Sequence, residues 1–486
     1  MTLRTPTLSR RHLGVLAAAA LLSACATGPG TLAPAELPPI VFVHGNGDSA
    51  ALWLVQQWRF ESAGWPRNRL HAVHFPYPLA RDDNAVAQPG RSGTDEQRAH
   101  LAAEVAQVLA ATGAQQLVLM GNSRGGNAIR SCIATPAAQG GCGGLVSHAI
   151  LGGTPNHGVW ALPGFRPANE FNGAGPYLSG LNAPKGADGQ PLPAGSVGLE
   201  VTPGPKWLTL RSDNNDKFAQ PDGVWIGAKG TATNVTADGP ALRGAENVVL
   251  PGSDHREVST HAEAFAQADR FITGRAPATT DVTPEAVVTL DGQVDGATAA
   301  GPSNLPLAGA TVAVWAVDAG SGARLGAALL HKTVGADGRW GPLTTDARTP
   351  LEFEISAPGT PGASAPATIT TTTHIYRAPF LRSSTTVHLR PERLADADKA
   401  AATAVVTLSR PRGYFGLPRD TVLLDGQPAP GIPPGVAGVA SSKGLLKGAP
   451  GRPVVGEFHS GALHERLVGQ AWPAASGHVT VLELQQ

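Results

Sequence analysis

Leu117-Val118-Leu119-Met120-Gly121-Asn122-Ser123-Arg124-Gly125-Gly126 sits near the middle of the first half of a 486-residue chain. Gln116 to Met120 is a continuous apolar run of strand length, as expected for a strand buried on both faces. It leads directly into Gly121-Asn122-Ser123-Arg124-Gly125, a G-x-S-x-G pattern, and a helix is predicted to start near Gly125. A serine at the apex of a strand–turn–helix needs small neighbours, because the backbone is crowded there and the hydroxyl must project clear. The helix N-terminus then turns backbone N–H groups toward the same point. Glycine-rich chains produce the five-residue pattern by chance, so an ordinary turn serine competes. The buried strand in front makes Ser123 the candidate nucleophile.

Outward from this point, short apolar runs alternate with helical stretches. Pro39 to Val43 reads as a strand that ends at His44-Gly45, and His148–Leu151, Trp207–Leu210 and Asn247–Leu250 read as further strands. Asp95 to Ala111 is a predicted helix with Leu101, Val105 and Val108 on one face, Thr94 and Gln97 as its capping box, and Gly113 as its stop. His261 to Phe271 reads as a closing helix. Strands alternating with helices predict a parallel sheet in an α/β domain.

Three other segments carry chemistry. His44-Gly45-Asn46-Gly47 follows the first strand, where two backbone N–H donors are expected for a tetrahedral oxyanion: those of Asn46 and of Arg124. A plain tight turn is the competing reading. With the chain order serine, acid, histidine, the acid is sought past the Trp207–Leu210 strand, in Asp213-Asn214-Asn215-Asp216-Lys217-Phe218. Asp216 is the first choice, Asp213 the reserve, and Asp222 stands behind them; an Asx-rich turn or a calcium loop competes. His255, in Pro251-Gly252-Ser253-Asp254-His255, is the candidate general base, with His261 as its reserve on a surface-facing helix. Asp254, next to His255 in sequence, is expected to point away from the site.

These residues identify a resemblance. The domain from 37 to 274 resembles an α/β-hydrolase of the lipase/esterase type, and Gly152-Gly153-Thr154-Pro155-Asn156-His157-Gly158 is similar to a Gly-Thr-Pro-x-x-Gly stretch of many lipases. The resemblance implies a serine carboxylic-ester hydrolase, Ser123–His255–Asp216, with no cofactor or metal. Some members place the acid just after the strand that follows the serine turn, yet Ile150 to Gly158 holds no carboxylate, which moves the choice to Asp216. Residues 159–206, with Phe165, Phe171, Tyr177, Leu178 and Leu181, are expected to form a lid or an acyl-binding wall above Ser123, against a rigid surface excursion as the alternative. Long-chain esters are the leading substrate, a polyhydroxyalkanoate or other polyester the second, and a non-catalytic exported binding protein on a hydrolase scaffold the third reading.

Character changes after Gly274. A linker over 275–283 gives way to short strands separated by Gly-, Pro- and Asp-Gly turns, an all-β pattern of sandwich type. Gly292 to Trp340 resembles the prealbumin-like modules of exported proteins. Two β units are expected, over 284–366 and 367–486. The region as a whole resembles the C-terminal β domain of long-chain lipases.

The first residues read as an address. Arg4, Arg10 and Arg11 precede an apolar run from Leu13 to Leu22 and then Ser23-Ala24-Cys25, a signal peptide over 1–25 that ends like a bacterial lipobox. Ser9-Arg10-Arg11-His12-Leu13 resembles a twin-arginine signal, with Leu13 where phenylalanine is commoner. Lipidation at Cys25, a tether over 26–36 and attachment to the cell envelope, with the outer membrane favoured, are the expectations. In such an oxidising compartment Cys132 and Cys142 are expected to pair, the alternative being two buried thiols. Lys+Arg and Asp+Glu balance at 37 each, so no basic face for nucleic acid is expected, and 42% hydrophobic residues exclude a disordered chain.

Overall fold

Six strands build the first sheet of the computed structural model: β1 (Ile40–Val43), β2 (Leu70–Ala72), β3 (Leu117–Asn122), β4 (Val146–Gly152), β5 (Lys206–Ser212) and β6 (Glu246–Leu250). The described residues are 1–2, 37–357 and 371–486; the export signal, Cys25 and the tether lie outside them. The strand order is β2-β1-β3-β4-β5-β6 and every pairing is parallel. Val41 sits opposite Leu119, and Met120 opposite Ile150. The apolar residues of β1 and β3 are buried on both faces, which is why these strands read as unbroken hydrophobic runs. β2 has no such run and escaped the sequence reading.

Strand order reverses between β1 and β3. A crevice therefore opens beyond their carboxyl ends, and those ends carry His44-Gly45-Asn46 and Ser123. The helix Thr94–Thr112 packs Leu101, Val105 and Val108 under the sheet and stops at Gly113 in the left-handed conformation. Its cap differs from the expected Thr94–Gln97 box. The Gly93 N–H donates to Glu96 Oε2 at 2.6 Å, and the Thr94 N–H goes to Asn84 Oδ1 at 2.8 Å. Asn84, from the preceding loop, takes the donor that the box would have used.

Residues Pro38–Gln486 form one compact unit. A seven-stranded sheet runs in the order Leu330–Thr333, Thr311–Ala316, Leu351–Ala357, Thr371–Arg377, His478–Glu483, Ala404–Ser409 and Ser441–Leu446. A four-stranded sheet from Asp420 to Gln470 packs beside it. The expected boundary between 366 and 367 lies outside the described residues, and the seven-stranded sheet takes strands from both sides of it. Thr371–Arg377 pairs along its full length with Leu351–Ala357 on one side and with the last strand, His478–Glu483, on the other. Each strand needs partners for its N–H and C=O groups, and Thr371–Arg377 finds them on both sides of the expected boundary.

The two halves also share a core. Leu54, Val55 and Trp58 from a helix of the first domain join Val312, Trp340 and Phe353 of the β region. Trp58 meets Phe380 edge-on at 6.2 Å. Among the described residues no helix is long and apolar enough to cross a membrane.

Cys132 and Cys142 are bonded, ten residues apart in sequence, and both are fully buried. Closing so short a loop is worth about 2–3 kcal/mol. Reduction, or Cys132→Ala with Cys142→Ala, should lower the unfolding free energy by about that amount in a denaturant titration; unchanged stability on reduction would contradict this reading.

Candidate active site

Ser123 occupies the sharp turn between β3 and the helix Arg124–Ala134, with φ +54° and ψ −126°. Such a backbone costs of order 1–3 kcal/mol for a residue with a side chain and persists only where its surroundings hold it. Glycine supplies the room. A Cβ at Gly45 would stand 3.0 Å from that of Ser123, and one at Gly125 would meet the His44 carbonyl at 2.6 Å and the Val43 carbonyl closer still. The Ser123 N–H donates to the Gly152 carbonyl at 2.9 Å. Sequence reasoning passed over Asn122, although it braces the turn. Its fully buried Nδ2 donates to the carbonyls of Gly152 at 3.2 Å and His255 at 3.0 Å, and to Ser259 Oγ at 3.0 Å.

His255 follows β6 and Asp216 follows β5. The His255 Nδ1–H donates to Asp216 Oδ2 at 2.8 Å, with the two residues 2% and 3% exposed. Asp216 Oδ1 accepts the Phe218 N–H at 2.8 Å, so the carboxylate is fixed from both ends. With Nδ1 engaged as donor, Nε2 keeps its lone pair, the tautomer a general base needs. The Phe218 ring packs edge-on to His255 at 4.5 Å. Ser123 and His255 line the same cavity of about 300 Å³.

The other candidates fall elsewhere. Asp213 accepts from Asn214, Asn215 and Ser212, and its Oδ2 takes the Gly252 N–H at 3.1 Å; it holds the two loops together without touching His255. Asp222 accepts the Val224 N–H. The Asx turn thus describes Asp213 and Asp222. Asp254 points away from the cavity, toward Arg410. His261, expected at the surface, is mostly buried, with Nε2 3.4 Å from Glu257 Oε1, and burial pushes its pKa down to about 4.

Asn46 sits at the exposed mouth, its Oδ1 accepting the Ala80 N–H at 2.7 Å. Among the described residues neither the Asn46 nor the Arg124 amide N–H has a hydrogen-bond partner. Behind them His44 is neutral, since burial drives its pKa down to about 3; its Nε2 accepts the Phe75 N–H and its Nδ1–H goes to the Gly45 carbonyl. The Arg124 side chain turns inward and is wholly buried. It pairs with Glu170 through both Nε and Nη2, and Nη2 also reaches the Ser92 carbonyl at 2.6 Å.

Glu170 belongs to the insert, so this ion pair fastens the insert to the serine turn. Asn172, fully buried, ties the same loop inward through Leu162 and Phe165, and the Asn84 N–H donates to the Ala168 carbonyl at 3.0 Å. Trp160, Phe165 and Phe171 of the insert form one wall of the cavity. The lining also brings in residues whose place there sequence reasoning missed: Phe218, Trp225 and, from the β region, Tyr414. Tyr414 lies almost two hundred residues beyond the other two, and no motif marks any of them.

Two His/acid clusters lie outside the site: His74 with Asp295 and His388, and Glu352 with Glu354 and His374. Hydrogen bonds and ion pairs within the protein already engage both. The Ala50 and Gln293 N–H groups already donate to His74 Nδ1 and His388 Nδ1, and Arg324 lies 2.7 and 2.6 Å from the two glutamates. A cation would have to displace that guanidinium.

Removing Glu170 strands a buried guanidinium. Glu170→Ala should cost about 3–5 kcal/mol of stability, and the double change Arg124→Met with Glu170→Met should recover most of it. Denaturant titrations of the three proteins check this, and wild-type stability in Glu170→Ala would contradict it.

Comparison with known proteins gives one family match: residues 287–394 fit the model of the lipase C-terminal domain. No curated protein matches the sequence. Among solved structures, a lipase of Bacillus licheniformis in its mature form is 19% identical, covering 49% of this chain and 92% of its own, with a TM-score of 0.32. A phospholipase of Legionella pneumophila is 14% identical over 74% of this chain and 96% of its own, with a TM-score of 0.32. An Aspergillus fumigatus lipase is 12% identical over 52% and 56%, with a TM-score of 0.33. Likenesses this distant decide nothing about the site. Residues 287–394 thus match a lipase C-terminal domain, and they follow a domain built on a six-stranded parallel sheet.

Proposed function

We propose that the protein is a carboxylic-ester hydrolase in which Ser123, His255 and Asp216 work through an acyl-enzyme. The observation that carries the reading is the buried His255–Asp216 hydrogen bond in the cavity that also holds the strained Ser123. Ser123 Oγ attacks the acyl carbonyl carbon while its proton passes to His255 Nε2. Asp216 keeps the ring oriented and stabilises the imidazolium. The unpartnered N–H groups of Asn46 and Arg124 receive the oxyanion, each donor being worth about 10²–10³ in rate. The C–O bond then breaks, and the alcohol leaves with the proton from His255. Water repeats the attack on the acyl-enzyme and releases the acid.

The aromatic walls give an acyl chain an apolar bed, which supports esters of hydrophobic acids. Because the insert is pinned through Glu170, it serves this reading as a fixed wall rather than a swinging lid. One observation favours a polyester as the second reading. A further hollow of about 630 Å³, lined by Phe75, Tyr77 and Pro89, shares Arg81 and Arg91 with the catalytic cavity, as an extended chain would require. For location we propose export with lipidation at Cys25, supported by the N-terminal pattern and by the Cys132–Cys142 bond.

Hydrolysis of p-nitrophenyl esters from acetate to palmitate tests the proposal. Ser123→Ala should lose turnover by about 10⁴-fold or more, and Asp216→Asn by about 10⁴-fold with little change in KM. A maximum at long chains supports a lipase, and activity confined to short chains together with solubilisation of polyester films supports the second reading. Equal inertness of wild type and Ser123→Ala on all of these would overturn both in favour of a binding protein.

A further inference from the structure

The loop that carries His255 is held by two carboxylates that the reaction does not use. Asp254 Oδ1 accepts the N–H groups of Arg256 at 2.7 Å and Glu257 at 2.9 Å, and Glu257 Oε2 returns the favour to the Asp254 N–H at 2.8 Å. This reciprocal cap encloses His255 between its two halves. Both carboxylates are completely buried, only three residues apart. Two unneutralised acids so placed cannot both stay ionised, and burial together with Glu257 pushes the Asp254 carboxyl up from its ordinary value.

The cation that meets them comes from the other half of the chain. Arg410, itself wholly buried, donates through Nη1 to Asp254 Oδ2 at 3.0 Å and through Nη2 to Glu257 Oε1 at 2.5 Å. Nη1 also holds the Tyr414 carbonyl at 2.7 Å, and the Tyr414 N–H donates to Asp254 Oδ2 at 2.6 Å. Tyr414 lines the catalytic cavity, and its ring lies under the cations of Lys217 and Arg256 at 4.1 and 4.8 Å. Arg419 reaches Glu257 Oε2 at 2.9 Å from a partly exposed position. Thr260, five residues beyond His255, donates its hydroxyl to the Arg412 carbonyl at 2.8 Å.

We propose that Arg410 is a positioning residue for His255, through which the β region beyond residue 394 sets the orientation of the general base. The proposal rests on the hydrolase reading above. Arg410 touches neither substrate nor the reacting atoms. By neutralising and clamping the cap on both sides of His255, it fixes the ring's position in the cavity that Ser123 also lines; a misplacement of about 1 Å costs on the order of 10²-fold in rate. The β region then acts as part of the catalytic apparatus, and Tyr414 as the wall that comes with it.

The test uses the full chain with Arg410→Lys, Arg410→Met and Arg419→Ala, measured with one short p-nitrophenyl ester. Melting by circular dichroism reports which variants fold. Arg410→Met should lower kcat by about 10²-fold and Arg410→Lys by about tenfold, with KM within about twofold of wild type in both. Arg419→Ala, at a site open enough to tolerate truncation, should lower kcat by about threefold at unchanged KM. If the Arg410 variants do not fold, Arg419→Ala decides alone. Folded variants with wild-type kcat, or with raised KM and wild-type kcat, would overturn the proposal. Wild-type protein inert on esters, or Ser123→Ala as active as wild type, would instead overturn the hydrolase reading on which it rests.

Discussion

Everything at the site depends on one crowded turn. Ser123 is forced to a positive φ because β3 ends directly beneath a helix, and Gly45 and Gly125 give up side chains so that the two backbones can meet. That geometry exposes a hydroxyl at the switch point of a parallel sheet and, among the described residues, leaves the amide N–H groups of Asn46 and Arg124 without partners. The cost of the strained residue is borne by the buried sheet on either side, whose strands are closed to water on both faces.

Around that turn, buried charges do what loops would do loosely. Arg124, next to the serine, sends its side chain away from the cavity and pins the insert through Glu170. Arg410 does the equivalent from the β region, meeting Asp254 and Glu257 on either side of His255. Both guanidiniums are surrounded by carbonyl and carboxylate acceptors, the condition under which burying a charge is tolerable. Ser123 and His255 are thereby each referenced to a distant part of the chain. The shared core of Trp58, Phe353 and Phe380 keeps those parts in register.

What was legible in the sequence was what local chemistry marks. Ser123 lies in a pattern tied to backbone crowding, His255 and Asp216 lie just past apolar strands, and Gly113 stops its helix in the conformation that glycine permits. What was hidden depends on partners far away in the chain. Asn122 is only an unspecified position in G-x-S-x-G until its amide is seen reaching His255 and Ser259. Tyr414 and Arg410 sit almost three hundred residues beyond the serine, in a region whose alternating pattern announces strands and nothing of their neighbours. The pairing of Thr371–Arg377 with the final strand is hidden for the same reason: it is a long-range choice that no turn signal records.

The most direct measurement is to treat the folded protein with a fluorophosphonate, which reacts only with an activated serine, and to locate the adduct by peptide mass spectrometry. The account predicts one adduct, on Ser123, formed by wild type and abolished in His255→Ala and in unfolded protein. An adduct on another serine, or equal labelling with and without His255, would contradict it.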